Sequence, residues 1–474
     1  MDDNLNRKKL SFGTKLGYGL GAAGDAIPYN LFYTYFVFYL TNVAGISPAI
    51  AGTISMISII WSACVDPVVG FMSDNSRNSK GRRIPMMSKS IWPLAVVMIF
   101  LYIAPTGLSG GLLVAYFIFA CILLWTFYST YGVPYGALGA ELTNDYNERN
   151  ILRLFTGLCS YPFVAVVNSG VMAVIAFATA RGVSYERSWT VAAAAVAAVA
   201  VICCSISVIK LKGKEPESHI NTETERIKIS GIFKEYIPIL KRKTFRRLMW
   251  YGLVWIIGYN TFSTVGVYIM TYCAGLDEAA QSKFWLIYTV IAVICTPIPV
   301  FVANKIGKKP TLFGFSAVFV IGAVIFYITG INSFGSQIAY GAVVAFSTSA
   351  FWGLFYSTVY DCSEIIEFKT GRRNEGGILA LAQFIQKLGG AFAAWFVGIL
   401  LTMFGYTGSG VETGETIHGI LTIGTLIPAV LVAVSLLLFT LFRLNRKKYE
   451  AIINAIELRK TGQEPDTSEF EDVL

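Results

Sequence analysis

Two acidic residues lie inside apolar stretches that are long enough to cross a lipid bilayer. Asp66 is the only charged residue between Ser47 and Met72. Asp25 lies in the preceding stretch, and Tyr29 and Tyr33 follow it at intervals of four, so all three share one helical face. A carboxylate is costly in hydrocarbon and usually carries function there. We predict a functional role for Asp66, and for Asp25 with its two phenols a site suited to sugar hydroxyls. The alternatives are a structurally satisfied carboxylate and an aromatic packing stripe.

A tyrosine-rich stretch farther along the chain offers further rings. Tyr128 and Tyr131 recur at helical spacing there. Gly132 and Pro134 follow them and loosen the helical backbone. Such a helix can bend and can present aromatic rings to a sugar. Ordinary helix packing around a proline kink explains the pattern about equally well.

One cation lies deep in an apolar stretch near the C-terminus. Lys387 follows Gln383 by one helical turn, and no acid lies deep in the same stretch. Because a buried ammonium group needs a carboxylate, we expect Lys387 to pair with Asp66 or Asp25. The alternative is that its long side chain reaches out to the membrane surface.

Charged residues also gather in short connections on one side of the apolar stretches. Ion pairs among them would hold that side closed, although a charge run is often only a solvated face. The candidate gate residues are Asp74, Arg77, Arg82, Arg83, Arg149, Asp361, Glu364 and Arg373.

The composition indicates an all-α integral membrane protein. Of 474 residues, 55% are hydrophobic and only 14% are charged, and the mean hydropathy of +0.59 is too high for a soluble protein of this size. Runs of this length form helices in lipid, because barrel strands are shorter. The twelve predicted spans are 16–43, 47–73, 85–105, 110–138, 151–180, 188–210, 245–273, 282–304, 310–331, 336–362, 376–405 and 418–443.

The basic residues outnumber the acidic ones by 38 to 29, and their placement assigns them to topology and not to nucleic-acid binding. They concentrate in alternate connections and at both ends of the chain, whereas the opposite connections hold only Arg181, Arg187 and Lys283. The positive-inside rule therefore predicts a multi-pass protein of the cell membrane with both termini in the cytoplasm. Membrane lipid is an expected partner.

The two halves of the chain repeat each other. At a constant offset of 230 residues Tyr29 recurs as Tyr259, whereas Asp66 is answered by Thr296. An acid that is present in one half only is more easily explained by function than by packing. The predicted divisions are an N-terminal six-helix half (1–209), a cytoplasmic loop (210–244), a C-terminal six-helix half (245–444) and a cytoplasmic tail (445–474).

These residues resemble a known family. The runs GYGLGAAGD, DPVVGFMSDNSRNSKGRRIP, VPYGALGAELTNDYNER and DCSEIIEFKTGRRNEGG, in that order, look like the glycoside–pentoside–hexuronide cation symporters, which are relatives of the melibiose carrier. The similarity covers nearly the whole chain. It implies the major facilitator fold, with two six-helix repeats and a central site, and secondary active sugar symport by alternating access.

The resemblance also assigns roles to single residues. Asp66 matches the family's cation-site carboxylate, and Lys387 matches the lysine beside that site. The aromatic positions around the sugar are matched by Tyr33, Tyr128 and Trp352, and positions of the cytoplasmic gate by Asp361, Arg373 and the region of Arg149. The chain departs from the melibiose carrier at Ser62, which replaces a second cation-site acid, and at Ala26 and Gly132, which replace the two sugar-binding acids. Galactoside binding is therefore not implied.

A count of ligands bears on the coupled cation. Sodium in a dry site takes about five or six oxygens, and Asp66, Ser62 and Ser129 provide few, whereas a proton needs one carboxylate. We therefore expect the coupled cation to be a proton. Taken with the resemblance, the sequence predicts a transporter of a sugar or glycoside and not an enzyme. We expect it to be a monomer without a cofactor. The alternatives are sodium coupling, and a facilitator or exchanger of another small organic solute.

Overall fold

The computed structural model describes residues 10–76, 78, 81–143, 146–215, 242–370, 375–408, 410, 412–460 and 466–473. For residues 140, 146, 147, 149, 150, 370, 375, 376 and 460 it describes the backbone alone. All regular structure within these ranges is helical.

Six helices make up the first half of the chain, and they lie in one compact unit. They are α1 (Phe12–Asn42), α2 (Pro48–Asp74), α3 (Ile84–Phe100), α4 (Gly110–Glu141), α5 (Tyr146–Ala180) and α6 (Tyr185–Leu211).

The second half is built from more segments, because two of its predicted spans are interrupted. Its helices are α7 (Lys243–Tyr268, extended by a π-turn at Ile269–Cys273), α8 (Glu278–Cys295), α9 (Ile298–Ile306), α10 (Lys308–Thr329), α11 (Phe334–Thr370), α12 (Glu375–Met403), α13 (Gly414–Gly424), α14 (Leu426–Thr440) and α15 (Arg446–Lys460). The helices α7 and α9 to α15 belong to a second compact unit.

Each of the twelve predicted spans corresponds to a helical segment. Ten segments of the described chain are long and apolar enough to cross a membrane, and α3 is apolar but only 17 residues long. The exception is α1, which has 31 residues, or about 46 Å of helix. Most of its residues are buried against other helices and not against lipid, so α1 can cross the membrane with a less apolar sequence.

The two six-helix halves pack their helices in the same way. In the first unit α1 contacts α5 and α6, α4 contacts α2 and α3, and α3 contacts α6. In the second unit α7 contacts α12 and α14, α11 contacts α9 and α10, and α10 contacts α14. The order of helices that meet is therefore repeated, and the prediction of two six-helix repeats is confirmed. The exact division points remain a prediction, and residues 216–241 of the predicted loop lie outside the described ranges.

The repeat departs from its 230-residue offset after the second span. Gly81 and Gly307 hold corresponding places just before α3 and α10, with backbone φ values of +112° and +93°, but they are only 226 residues apart. A conformation with positive φ favours glycine, which supports the correspondence. The turn in the second half is thus four residues shorter. A second departure is that α2 runs through Pro67, whereas Pro297 separates α8 from α9.

Glycines in α1 form its contact surface with the neighbouring helices. A Cβ atom at Gly19 would lie 2.7 Å from the carbonyl oxygen of Phe155 on α5, and one at Gly21 would lie 2.5 Å from the hydroxyl of Ser207 on α6. Small residues let membrane helices approach closely and gain van der Waals contact. The GxGxxG pattern in α1 is therefore a helix-packing surface and not a nucleotide-binding loop.

Replacing Gly19 by alanine is expected to destabilise the first unit, because the new methyl group would overlap the backbone of α5. Overpacking of this kind typically costs about 1–3 kcal/mol. The temperature at which the purified protein loses its monodisperse peak in detergent should fall. Gly136→Ala on α4 is the control, since a Cβ there meets no described heavy atom within 4 Å and alanine favours a helix. Equal stability of the two variants would contradict close α1–α5 packing.

Candidate functional site

Two neighbouring residues of α4 hold the two membrane carboxylates of the first unit. The hydroxyl of Ser129 donates a hydrogen bond of 2.6 Å to Asp66 Oδ1 on α2. The phenol of Tyr128 donates one of 3.2 Å to Asp25 Oδ2 on α1. Asp25 lies about 3 Å along the axis from the middle of α1, and Asp66 about 8 Å from the middle of α2, so both are deep in their helices. The structure thus brings four of the predicted residues together as two adjacent pairs.

The carboxylate of Asp25 occupies space that a side chain at position 132 would need. A Cβ atom at Gly132 would lie 2.6 Å from Asp25 Oδ1. The second oxygen, Oδ2, is the one that accepts from Tyr128. Gly132 therefore makes room for the acid of α1 against α4, and Asp25 itself is only half-buried.

Aromatic rings surround the same part of α1 and α4. The rings of Tyr29 and Tyr33 lie 4.3 Å apart, and the rings of Trp125 and Tyr128 meet edge to face at 5.1 Å. Trp125 also contacts Tyr29 and Tyr33 and is only 1% exposed. Its indole N–H finds no acceptor among the described atoms. A buried donor without an acceptor is unfavourable by about 1–3 kcal/mol, so Trp125 offers a donor to a ligand that enters beside it.

The surroundings of Asp66 on α2 are rich in oxygen. Ser62 lies one turn before Asp66 on the same face and is fully buried. Pro67 has no N–H group to give to the carbonyl of Ala63, which leaves that oxygen available beside the acid. In the described ranges no three His, Cys, Asp or Glu side chains converge as a metal site.

Tyr131, two residues after Ser129 on α4, packs against α1. It is fully buried, its ring stacks on Tyr135 with centroids 5.9 Å apart, and its hydroxyl points to the carbonyl of Gly21 at 3.4 Å. These contacts are those of a packing residue between α4 and α1. A substrate-binding role for Tyr131 stays a prediction.

The second unit has its own aromatic group on α7 and α11. Trp352 is half-buried and lies edge-on to Tyr259, with ring centroids 5.9 Å apart, and to Trp255 at 6.5 Å. Trp255 in turn stacks on Phe351 at 3.7 Å and donates its N–H to Ser316. The tyrosine that repeats Tyr29 therefore contacts the predicted sugar-site tryptophan within one unit.

The predicted polar residues of α12 lie on one side of that helix. Lys387 is half-buried and Gln383, one turn before it, is exposed. Between them Gln386 accepts a hydrogen bond from the hydroxyl of Tyr356 on α11. The pairing of Lys387 with Asp66 or Asp25 joins the two units and stays a prediction.

An ion-pair cluster ties α2, α3 and α4 of the first unit together. The guanidinium of Arg83, which is 6% exposed, donates to both oxygens of Glu141 at 3.0 and 2.6 Å and also contacts Asp74 at 3.1 Å. Arg82 pairs with the same carboxylate of Glu141. The cluster contains three of the predicted gate residues, but its central acid, Glu141, was missed.

A second missed acid caps α3. The carboxylate of Glu215 accepts hydrogen bonds from the backbone N–H groups of Arg82, Arg83 and Ile84, the last two at 3.0 and 2.6 Å. An anion is favourable at a helix N-terminus, where N–H groups have no partner within the helix. A Cβ at Gly81 would lie 2.6 Å from this carboxylate. Nothing near position 215 in the sequence points to this contact, because it joins residues more than 130 positions apart.

The second unit contains the corresponding pair. Lys308, the first residue of α10, lies 2.7 Å from Asp361 of α11. Gly307 and Lys308 correspond to Gly81 and Arg82. In each half a cation at the start of the third helix, α3 or α10, therefore binds an acid of the fourth helix, α4 or α11. Glu364 lies half-buried near Asp361 on α11. Of the remaining gate candidates, Arg77 and Arg373 and the side chain of Arg149 lie outside the described residues.

Comparisons with known proteins agree with this architecture. A family model described as MFS/sugar transport protein matches residues 17–446. The chain is 26% identical over 463 residues to the uncharacterized symporter YnaJ of Bacillus subtilis, and the match covers 96% of each chain. It is 24% identical to the glucuronide carrier protein homolog of Escherichia coli over 96% of this chain and 98% of that protein.

A solved structure shares the fold. A bacterial homolog of the human lysosomal transporter Spinster, in an inward-facing and unoccupied conformation, superposes with a TM-score of 0.67. The match covers 90% of this chain and 96% of that one at 12% sequence identity. At this identity the likeness concerns the fold alone.

The Arg83–Glu141 cluster predicts an acid-sensitive stability. Burial alone would raise the pKa of Glu141, but the guanidinium groups of Arg83 and Arg82 outweigh that effect and hold the pKa below its usual value. The stabilisation is therefore complete above the unfolded-state pKa of about 4.3 and is lost as pH falls through the lower folded-state pKa. Glu141→Gln should lower thermal stability in detergent at pH 7, and its difference from wild type should shrink as the pH falls below about 4.3 and vanish only below the folded-state pKa.

Glu415→Gln, at an exposed acid in the first turn of α13, is the control and should cost much less stability, because an exposed acid at a helix start contributes only about 0.3–1 kcal/mol. A difference between Glu141→Gln and wild type that persisted unchanged into acid would show that the ion pair does not supply this stability.

Proposed function

Because this chain belongs to the MFS/sugar transport protein family, we propose that it carries a sugar or glycoside across the membrane in symport with a proton. The family and fold make it a multi-pass membrane protein and a secondary transporter of sugar-like solutes, not an enzyme. The proposal concerns the coupling cation, the residues that bind each solute and the class of sugar.

The observation that carries the proposal is the pair of hydrogen bonds from neighbouring residues of α4. Ser129 binds Asp66, and Tyr128 binds Asp25. When Asp66 takes up a proton, the Ser129 hydroxyl loses a charged acceptor, and the bond weakens. A shift of α4 at Ser129 also moves Tyr128, because the two residues share one stretch of rigid helix. Protonation of Asp66 is thereby linked to the orientation of Asp25.

A proton fits the set of oxygen donors around Asp66 better than sodium does. The first unit offers the Asp66 carboxylate, the hydroxyls of Ser62 and Ser129 and the freed carbonyl of Ala63. Sodium in a dry site takes about five or six oxygens, whereas a proton requires one carboxylate. Sodium coupling remains the second candidate, and the carbonyl of Ala63 is the observation in its favour. Apart from the coupled cation, no cofactor is proposed.

The sugar is proposed to bind between Asp25 and the rings beside it. Asp25 accepts from sugar hydroxyls, the N–H of Trp125 donates to one, and the faces of Tyr29 and Tyr33 contact the apolar face of a pyranose ring. Similarity to a glucuronide carrier homolog supports glycosides as the substrate class. In the second unit Trp352, Gln383 and Lys387 are the proposed contacts, with Lys387 as the countercharge to an acidic glycoside or to Asp66.

Alternating access is proposed to use the ion-pair clusters as part of the gate. The Arg83–Glu141 and Lys308–Asp361 pairs each fix the third helix of a repeat to the fourth, so these two helices stay together when the unit moves. We propose that these clusters and both chain termini face the cytoplasm, that the protein works as a monomer, and that Arg77, Arg149, Glu364 and Arg373 contribute to closing this side.

Proton coupling is tested by substrate-driven pH change in sealed proteoliposomes. Adding the transported member of a panel of neutral and acidic glycosides, without sodium, should alkalinise the outer medium as protons enter with the solute. Asp66→Asn should abolish this change and reduce accumulation to equilibration, because the variant has no carboxylate to protonate. Glu415→Gln, an exposed acid far along the chain, is the control and should behave as wild type.

Three results would contradict this assignment. Uptake that requires sodium and moves no protons would show that the coupled cation is sodium and not a proton. Full accumulation by Asp66→Asn would move the coupling site elsewhere, with Asp25→Asn as the next variant. Loss of the pH change in Glu415→Gln would show that the assay reports damage and not coupling.

The sugar site is tested by variants that change one contact at a time. Tyr128→Phe removes only the donor to Asp25, and Gly132→Ala places a methyl group against its carboxylate. A lost hydrogen bond to a charged group costs about 1.5–3 kcal/mol, so substrate affinity should fall roughly 10- to 100-fold in Tyr128→Phe. Affinity should also fall in Gly132→Ala, because the new methyl group displaces the Asp25 carboxylate. Tyr116→Phe, on the same helix but bonded to the carbonyl of Phe100, is the control.

Binding is measured by isothermal titration of purified protein with the substrate found in the flux assay. Unchanged affinity in both Tyr128→Phe and Gly132→Ala would exclude Asp25 from the sugar site, while leaving the role of Asp66 in coupling intact.

A further inference from the structure

A cavity of about 520 Å³ lies in the second unit, at the start of α7 and the end of α11. Five of its lining side chains are cationic and two are acidic. The lining residues are Arg242, Lys243, Arg247, Lys369, Arg443, Glu471 and Asp472.

The N-terminus of α7 adds to the positive charge of this cavity. Arg242 is the N-cap residue and Lys243 the first residue of α7, and its first turn contains no acid. The unpaired N–H groups of a helix start carry a partial positive charge, which acidic side chains commonly neutralise. At the N-terminus of α7 the side chains are instead the cations Arg242 and Lys243. The partial positive charge of the helix start and these two side chains therefore attract an anion together.

The end of the chain supplies the only acids that line the cavity within the described residues. Phe470 is 1% exposed and packs edge-on against Phe368 of α11, and Thr244 donates a hydrogen bond of 2.6 Å to the carbonyl of Val473. Asp472 accepts from Lys448 at 2.6 Å, and Arg443 lies 3.7 Å away. The segment 466–473, called the tail segment below, is therefore anchored by packing and brings its carboxylates to the basic cavity.

We propose that this basic cavity binds a phosphate group, and that Glu471 and Asp472 of the tail segment occupy it when no phosphate is present. Two carboxylates leave an excess of three positive charges among the seven lining residues. A phosphate carries more charge and more acceptor oxygens than a carboxylate and binds guanidinium groups in a bidentate manner. The bound phosphate would displace the carboxylates and loosen the tail segment.

The depth of the cations favours a phospholipid headgroup as the source of the phosphate. Lys243 begins one candidate membrane span and Lys369 ends another, and Arg443 lies three residues beyond a third. These positions correspond to the level of the headgroups. Anionic lipid attracts basic residues at the membrane surface by about 1 kcal/mol each. Soluble phosphate shares the chemistry and is separated from lipid by the experiment.

The experiment uses the full chain in nanodiscs and follows deuterium exchange of the tail segment. In phosphatidylcholine the amides of the tail segment should be protected, and in phosphatidylglycerol their exchange should rise. Arg242→Gln/Arg247→Gln should remove this response. The matched control is Arg446→Gln, because Arg446 is exposed, pairs with Glu450 and does not line the cavity. Its response should equal that of wild type.

Variants of the tail segment test displacement directly. Glu471→Gln/Asp472→Asn should expose the tail segment in phosphatidylcholine and raise the retention of phosphatidylglycerol in native mass spectrometry, on the order of two- to fivefold for each lost carboxylate. The control is Glu469→Gln, an exposed acid of the same segment outside the cavity lining. Retention in wild type should fall as salt is raised.

The outcomes separate the possibilities. A response to millimolar inorganic phosphate in phosphatidylcholine, without one to phosphatidylglycerol, would support the phosphate site and assign it to a soluble ligand. If the tail segment opens in Glu471→Gln/Asp472→Asn but lipid retention does not rise, the cavity holds only the tail segment and the proposal is overturned. Equal responses of Arg242→Gln/Arg247→Gln and Arg446→Gln would also overturn it. None of these readouts depends on the proposed transport roles.

Discussion

The hydrogen bonds that α4 gives to two carboxylates are the constraint on which the first unit depends. An ionised acid in a hydrocarbon environment loses its hydration, and it is tolerated only where donors of the protein replace that water. Asp66 and Asp25 lie on different helices, yet both obtain their donor from one short stretch of α4. Helix α4 consequently cannot rotate or slide without altering both contacts at once. Packing alone would leave α4 freer, because apolar contacts are not directional.

Around this arrangement the helices are fixed by two simple devices. Glycines of α1 allow α5 and α6 to approach closely, so α1 is held by extensive van der Waals contact at its core. At the helix ends the fixing is electrostatic, through Arg83 and Glu141 in one half and Lys308 and Asp361 in the other. The electrostatic contacts lie where water and headgroups lower the cost of charge. Each half thus has an apolar middle and charged ends.

The sequence predicted those features whose signal is local. Apolar runs identify spans because lipid leaves the backbone no other partner, and a fixed offset between halves identifies the repeat. An isolated acid such as Asp66 stands out for the same reason. Glu141 and Glu215 were missed because they are ordinary loop or helix-end acids in the sequence, and only the fold brings them to Arg83 and to the start of α3. The Lys308–Asp361 pair was missed because a turn four residues shorter breaks the register that relates it to the first half. The unpaired N–H of Trp125 was not predicted, because nothing in a sequence reveals whether an indole N–H has an acceptor.

The interruption between α8 and α9 makes the second half mechanically different from the first. In α2 the backbone continues through Pro67, so a force applied at one end is transmitted along about 40 Å of uninterrupted rod. Pro297 divides the corresponding segment, and the two pieces can change their mutual angle at small cost, as at a joint. Both halves carry this proline, so the difference lies in its neighbours, where the second half has a further proline at position 299. Bending of the second half is therefore expected between Cys295 and Ile298, whereas α2 keeps Asp66 on a continuous helix.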